Sequence, residues 1–128
     1  MRLLLDTQLL LWVARDTDRL SKKARDLIES DSNSLVFSSV SLWEIGIKHA
    51  LRRPDFIVDI SMLRRKLLLH SYEELNLISA HTIAFAELRP KHKDPFDRML
   101  LAQAICEQLT LVTSDDVLRR YDGPVLRV

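Results

Sequence analysis

Two kinds of hydrophobic segment alternate along this chain, and that alternation limits its fold more than any other feature. Leu3-Leu4-Leu5, Leu35-Val36-Phe37 and Leu111-Val112 are short apolar runs with no polar residue inside them. Longer amphipathic stretches lie between. Apolar spacing predicts helices over Ser21–Ile28, Ser41–Leu51, Ile57–Leu69, Ala80–Leu88 and Phe96–Leu109, with Pro54 and Pro90 as stops. Leu75-Asn76-Leu77-Ile78 and Val125-Leu126 read as two further strands. A strand without polar alternation is buried on both faces, so the fold class is α/β, a parallel sheet covered by helices on both sides. Right-handed crossovers bring every strand C-terminus to one edge, where open α/β sheets bind their ligands.

At 128 residues the chain reads as one domain, 1–128. A hydrophobic content of 47% excludes general disorder. There are two glycines, and Gly46 sits inside a helical pattern, which excludes a glycine-rich phosphate loop. A single cysteine, Cys106, excludes an internal disulfide framework and a Cys-based zinc site. It lies in an apolar helical stretch and is expected as a small buried hydrophobe. Asp6 comes too early for a signal peptide, and Leu3–Val13 is too short for a bilayer span. A cytoplasmic protein with no membrane contact is the expectation. A net charge of +1 gives no global basic signature, although a local basic patch is compatible with it.

The acids carry the chemistry. Asp6 follows the first apolar run; Asp115 and Asp116 follow Leu111-Val112-Thr113-Ser114. Both groups fall at strand C-termini, on the binding edge. Glu44 lies early in the helix after Leu35-Val36-Phe37, and Asp97 early in the helix before Leu111. Each also has a plain structural reading. Asp6 fits a helix cap, and Ser41-Leu42-Trp43-Glu44 fits a capping box. Asp94-Pro95-Phe96-Asp97 fits a helix start with Asp94 as cap, and Asp115 or Asp116 fits a turn. None of these readings explains why acids from four segments meet at one edge. Gathered carboxylates repel unless a cation intervenes, and the hard divalent ions Mg²⁺ and Mn²⁺ prefer oxygen ligands. Such a site suits phosphodiester hydrolysis.

Four ordered stretches then carry a family likeness: Leu3-Leu4-Leu5-Asp6-Thr7, Ser41-Leu42-Trp43-Glu44-Ile45, Asp94 to Ala104, and Leu111-Val112-Thr113-Ser114-Asp115. The sequence resembles PIN-domain ribonucleases, in particular the VapC-like toxins of type II toxin–antitoxin pairs, and the resemblance spans nearly the whole chain. It implies a three-layer α/β/α fold with a short central parallel sheet. It implies Asp6, Glu44, Asp97 and Asp115 as the metal-binding catalytic acids, with Asp116 one step late for the pattern and Asp94 mainly a cap. It further implies cleavage of RNA to leave a 5′-phosphate with one or two Mg²⁺ or Mn²⁺, a homodimer, and a small cognate antitoxin that blocks the site.

RNA is held by its phosphates, so cations near the acids matter. Lys48, one turn after Glu44, is placed to meet a phosphate or to pair with Glu44. Arg52, Arg53, Lys91-His92-Lys93 and Arg98 are further candidates, whereas Arg64-Arg65-Lys66 reads as a solvated face. Thr7 and Thr113 flank the acids and are candidates to orient them or a water by hydrogen bonds, and for contact with substrate. Trp12 and Trp43 sit in apolar stretches and are expected in core or interface packing rather than base stacking. The histidines at 49, 70, 81 and 92 lack metal-ligand spacing. Apolar faces on the first helices suit a dimer or an antitoxin groove. Two other readings compete. A catalytically silent PIN-like module that binds RNA or protein is opposed by the intact acids. A phospho-acceptor domain is opposed by Thr7-Gln8 standing where a second aspartate would be needed.

Overall fold

The computed structural model describes residues 1–51, 58–89 and 94–128. Arg52, Arg53, Pro54, Pro90 and Lys91-His92-Lys93 lie outside the described residues. Five strands, β1 (Arg2–Leu5), β2 (Ser34–Ser38), β3 (Glu73–Leu75), β4 (Thr110–Thr113) and β5 (Val125–Arg127), form one sheet in the order β3-β2-β1-β4-β5. All four pairings are parallel. The helices are α1 (Thr7–Arg15), α2 (Lys22–Glu29), α3 (Ser39–Ala50), α4 (Ile60–Leu69), α5 (Ser79–Glu87) and α6 (Pro95–Glu107). None is long and apolar enough to cross a membrane, among the described residues.

The unbroken apolar runs become the central strands, and successive side chains serve opposite faces. Leu3, Leu5, Phe37 and Val112 pack with Leu9, Leu10, Ile45, Leu63 and Leu67 on one side. Leu4, Val36 and Leu111 pack with Leu100, Leu101 and Ala104 of α6 on the other. Each fully buried leucine contributes about 2 kcal/mol. From the central β1 the chain winds outward through β2 to β3, then returns to the other side for β4 and β5. The switch point therefore lies between β1 and β4, at their C-terminal ends.

Several expectations need correction. Strand β3 is Glu73–Leu75, not Leu75–Ile78; Leu77 and Ile78 are exposed. Ser71 takes a left-handed turn (φ 66°) after α4, and the chain pairs with β2 as soon as that turn ends. As an edge strand, β3 carries charge, with Glu73 paired to Arg2 and Glu74 to Arg64. Helix α3 starts at Ser39, because the Ser38 hydroxyl accepts from the Val40 N–H (3.0 Å), so Ser41-x-x-Glu44 is no capping box. Helix α6 stops at Glu107, where Gln108 turns left-handed (φ 56°) and Leu109 drops into the core. Cys106 is exposed rather than buried, since the buried face of α6 runs through Leu100, Leu101 and Ala104. Of the core and interface packing expected for Trp43, the core is ruled out, since it is 60% exposed with its ring edge-on to Phe96.

Candidate active site

The switch point holds a cleft of about 240 Å³ whose walls include Asp6, Glu44, Asp94, Asp97 and Asp115. All four acids singled out from the sequence reach this one cleft, from the ends of β1 and β4 and from α3 and α6.

Asp6 stands where the backbone leaves β1, with its N–H still donating to the Val112 carbonyl (3.0 Å). Its side chain caps α1: Oδ1 accepts from the Leu9 N–H at 2.8 Å. Its Oδ2 accepts from the Thr113 hydroxyl at 2.6 Å. Asp6 therefore caps α1 and at the same time lines the cleft. Burial pushes the Asp6 carboxyl above the usual carboxylate range. The Thr113 hydroxyl and the Leu9 and Ser114 N–H groups pull it down, and the charge of Glu44 pushes it up again.

The Thr113 oxygen also accepts from the Asp115 N–H (3.0 Å), so one hydroxyl ties the β1 acid to the β4 acid. Thr113 is fully buried and lies outside the cleft wall, so it orients Asp6 and Asp115 rather than meeting substrate. Asp115 Oδ1 closes a turn by accepting from the Val117 N–H (2.8 Å). Asp94 Oδ1 caps α6 by accepting from the Phe96 N–H (2.8 Å), with Pro95 at the first helical position. Asp97 follows in the first turn.

Glu44 lies in the second turn of α3 and is 5% exposed. Its Oε2 meets Lys48 Nζ at 2.9 Å, and its Oε1 is buried with no hydrogen-bond partner. Thr7 lines the cleft and donates to the Ser41 hydroxyl (2.9 Å), joining the start of α1 to α3. Arg98 does not line the cleft. Its guanidinium lies 4.4 Å above the Phe85 ring, so α5 has drawn it away from the acids. Asp116 points elsewhere too, toward Arg127 (2.7 Å) and Arg119 (3.7 Å).

Among the described residues, no three acid, histidine or cysteine side chains stand ready as a metal cage. The carboxylates share a cleft without yet sharing a coordination sphere. Even so, the donor set fits a hard cation. It is all oxygen, it includes a desolvated aspartate beside a second buried carboxylate, and one buried oxygen has nothing to bind. Asp6, Glu44, Asp97 and Asp115 are the residues that can hold such an ion.

Some ordering residues escaped the sequence reading. Ser41 is one. Another is a buried chain in which the Ser38 hydroxyl donates to Gln103 Oε1, Gln103 Nε2 donates to His81 Nδ1 (3.3 Å), and His81 Nε2 meets Glu107 (2.8 Å). Since Nδ1 also accepts from the Ile78 N–H (3.1 Å), the ring proton belongs on Nε2. The available signal was a polar residue inside Leu100-Leu101-Ala102-Gln103-Ala104.

No curated protein sequence matches the chain. Among solved structures, VapBC2 from Rickettsia felis bound to a DNA fragment from its promoter is similar at TM-score 0.72 and 19% identity, covering 99% of this chain and 98% of that one. FitAcB from Neisseria gonorrhoeae aligns at TM-score 0.69 and 19% identity, covering 98% and 96%. DNA-bound VapBC from Salmonella typhimurium aligns at TM-score 0.70 and 17% identity, covering 99% and 98%. At such identities these likenesses establish the fold. A family model described as "PIN domain" matches residues 3–124, nearly the whole chain, and the chain belongs to the PIN-domain family.

Proposed function

We propose that the chain is a ribonuclease dependent on Mg²⁺ or Mn²⁺, the toxin of a toxin–antitoxin pair, working in the cytoplasm where its RNA substrate is. One observation carries the chemical part: Asp6 and Glu44 are buried together in the cleft that Asp97 and Asp115 also line, with a Glu44 oxygen left unpartnered. Leaving a buried acceptor unmade costs about 1–3 kcal/mol, a cost that a cation bound at this oxygen would offset.

Asp6, Glu44, Asp97 and Asp115 would hold the cation. When bound, a divalent cation supplies positive charge to a phosphoryl oxygen and makes a water more acidic. The remaining steps belong to the protein. Thr113 holds Asp6 and Asp115 in a fixed relation, and Thr7 with Ser41 holds α1 against α3. Lys48 pairs with Glu44 in the cleft and is placed to turn to a substrate phosphate. Asp97 or Asp115 is suited to take the proton of a water attacking phosphorus; the P–O3′ bond would then break, leaving a 3′-hydroxyl on one product and the 5′-phosphate on the other.

The toxin role rests on the neighbours, which are toxin–antitoxin complexes such as that from Klebsiella pneumoniae. An apolar groove of about 230 Å³, walled by Val13, Ala14, Ile28, Leu35, Leu67 and Tyr72, suits an antitoxin segment. Trp43 and Ile47 on α3, with Leu51 at its C-cap, form an exposed apolar stripe at four-residue spacing, which suits a homodimer contact.

The test is direct. Purified protein should cut RNA in Mg²⁺ or Mn²⁺, stop in EDTA, and release 5′-phosphate ends. RNA left intact in every metal tried would end the ribonuclease reading and leave the silent PIN-like module in its place.

A further inference from the structure

Beside the acid cleft lies a second, larger depression of about 700 Å³, lined by Lys23, Arg119, Arg127 and Tyr121 among others. It runs along β5, from Gly123 and Val125 at the start of the strand to Arg127 and Val128 at its end. Arg127 ends β5 in register with Thr113, the residue whose hydroxyl binds Asp6. Two strand spacings separate Arg127 from β1, roughly 10 Å. The Arg127 end of the depression thus neighbours the cleft, with Asp115 in the wall of the cleft and Asp116 paired to Arg127 and Arg119 in the wall of the depression.

Asp116 shows what the depression binds. One of its carboxylate oxygens lies 2.7 Å from Arg127 Nε and 3.7 Å from Arg119 Nη1, so two guanidinium groups from separate elements converge on a single anionic oxygen. Planar guanidinium groups match carboxylate and phosphate oxygens alike. Asp116 itself is 73% exposed and Arg119 60%, so the internal pair is an easily exchanged surface contact. Lys23, from α2, adds a third cation to the wall.

We propose that Arg119 and Arg127, with Lys23, form a phosphate subsite for the RNA strand whose scissile bond lies in the acid cleft, and that Asp116 occupies this subsite when RNA is absent. The inference rests on the ribonuclease reading and adds to it the path of the strand, from the β1–β4 switch point toward β5. Asp116 acts as a tethered competitor: the phosphodiester displaces its carboxylate from the two arginines. Its removal and the removal of the arginines must then have opposite effects.

The experiment uses the full chain carrying Asp6→Asn to prevent cleavage, a fluorescent single-stranded RNA, and a salt series. Arg119→Gln and Arg127→Gln should each weaken binding roughly five- to tenfold, and each should flatten the slope of log Kd against log salt by about 0.7. Asp116→Asn should tighten binding several-fold. Thermal unfolding checks that each variant is folded, and Arg127→Lys, which keeps the charge and loses the fork, should fall between wild type and Arg127→Gln. Unchanged affinity and slope in both arginine variants would overturn the subsite, as would weaker binding by Asp116→Asn. Those results would leave the nuclease assignment standing if the otherwise unaltered protein cuts RNA. Failure to cut in any metal would count against the nuclease assignment itself.

Discussion

Two sets of buried polar side chains serve the same sheet edge, and they are satisfied to different degrees. In the chain from Ser38 through Gln103 and His81 to Glu107, each buried polar atom has a partner. It ties the cap of α3 to α5 and α6, the last of which carries Asp97. Between β1 and α3, by contrast, Asp6 is desolvated and repelled by Glu44, and Glu44 Oε1 has no partner. The first set is what stability alone produces. The second is held at a cost in the ligand-free protein, and that asymmetry separates scaffold from site.

Substitutions in the two sets should therefore have opposite signatures. The largest effect belongs to the acids. Asp97→Asn and Asp6→Asn should each slow RNA cleavage by at least about 10³-fold, equivalent to roughly 4 kcal/mol of transition-state stabilisation. Rates on folded variants check this, and wild-type rates in both would remove these residues from the site. Next comes the scaffold. Gln103→Leu leaves the buried Ser38 hydroxyl without its acceptor and removes one of the two donors to His81 Nδ1, and should lower stability by about 1–3 kcal/mol in denaturant titration. A variant as stable as wild type would dissolve the contrast drawn above.

The third effect has the opposite sign. Without divalent metal at neutral pH, Asp6→Asn should raise Tm by a few degrees, since asparagine still caps α1 while the buried charge is gone. Because burial raises the Asp6 pKa in the folded state, the native protein binds its proton before the unfolded chain does. The wild-type disadvantage is thus present above the folded pKa. It shrinks as pH falls through that value and is gone below the ordinary 3.8. Melts from pH 7 downward should show the gap closing; a gap that widens in acid reverses the sign and refutes the account. The smallest effect is at Lys48, whose pair with Glu44 is half open to solvent. Lys48→Met should change stability by under about 1 kcal/mol, while tightening divalent-metal binding a few-fold by removing a competing cation. Calorimetric titration reads both.

Much of this layout was legible in the sequence, for physical reasons. Leu3-Leu4-Leu5 and Leu111-Val112 have no polar alternation because both faces of β1 and β4 are covered, and that alone places Asp6 and Asp115 at one edge. Asp94-Pro95 announces the start of α6 through local capping chemistry. Glu44 was harder to place. Ser41 mimics a cap by spacing, yet Ser38 does the capping, a choice made by where β2 ends. The edge strand β3 was misplaced because three residues, two of them charged, carry little pattern of their own and pair only because β2 offers an open edge. Arg98 and Thr113 read alike as neighbours of acids. Only the packing of Phe85 and the burial of β4 show that neither reaches the cleft.

The most direct test of the central claim is the thermal stability of wild type and of the Asp6→Asn, Glu44→Gln double variant as Mn²⁺ is added. If the buried carboxylates await a divalent cation, the Tm of wild type climbs with metal, by an amount equivalent to about 2.7 kcal/mol at a hundredfold excess over Kd, and the double variant stays flat. Equal behaviour of the two proteins, whether both climb or neither does, would contradict it.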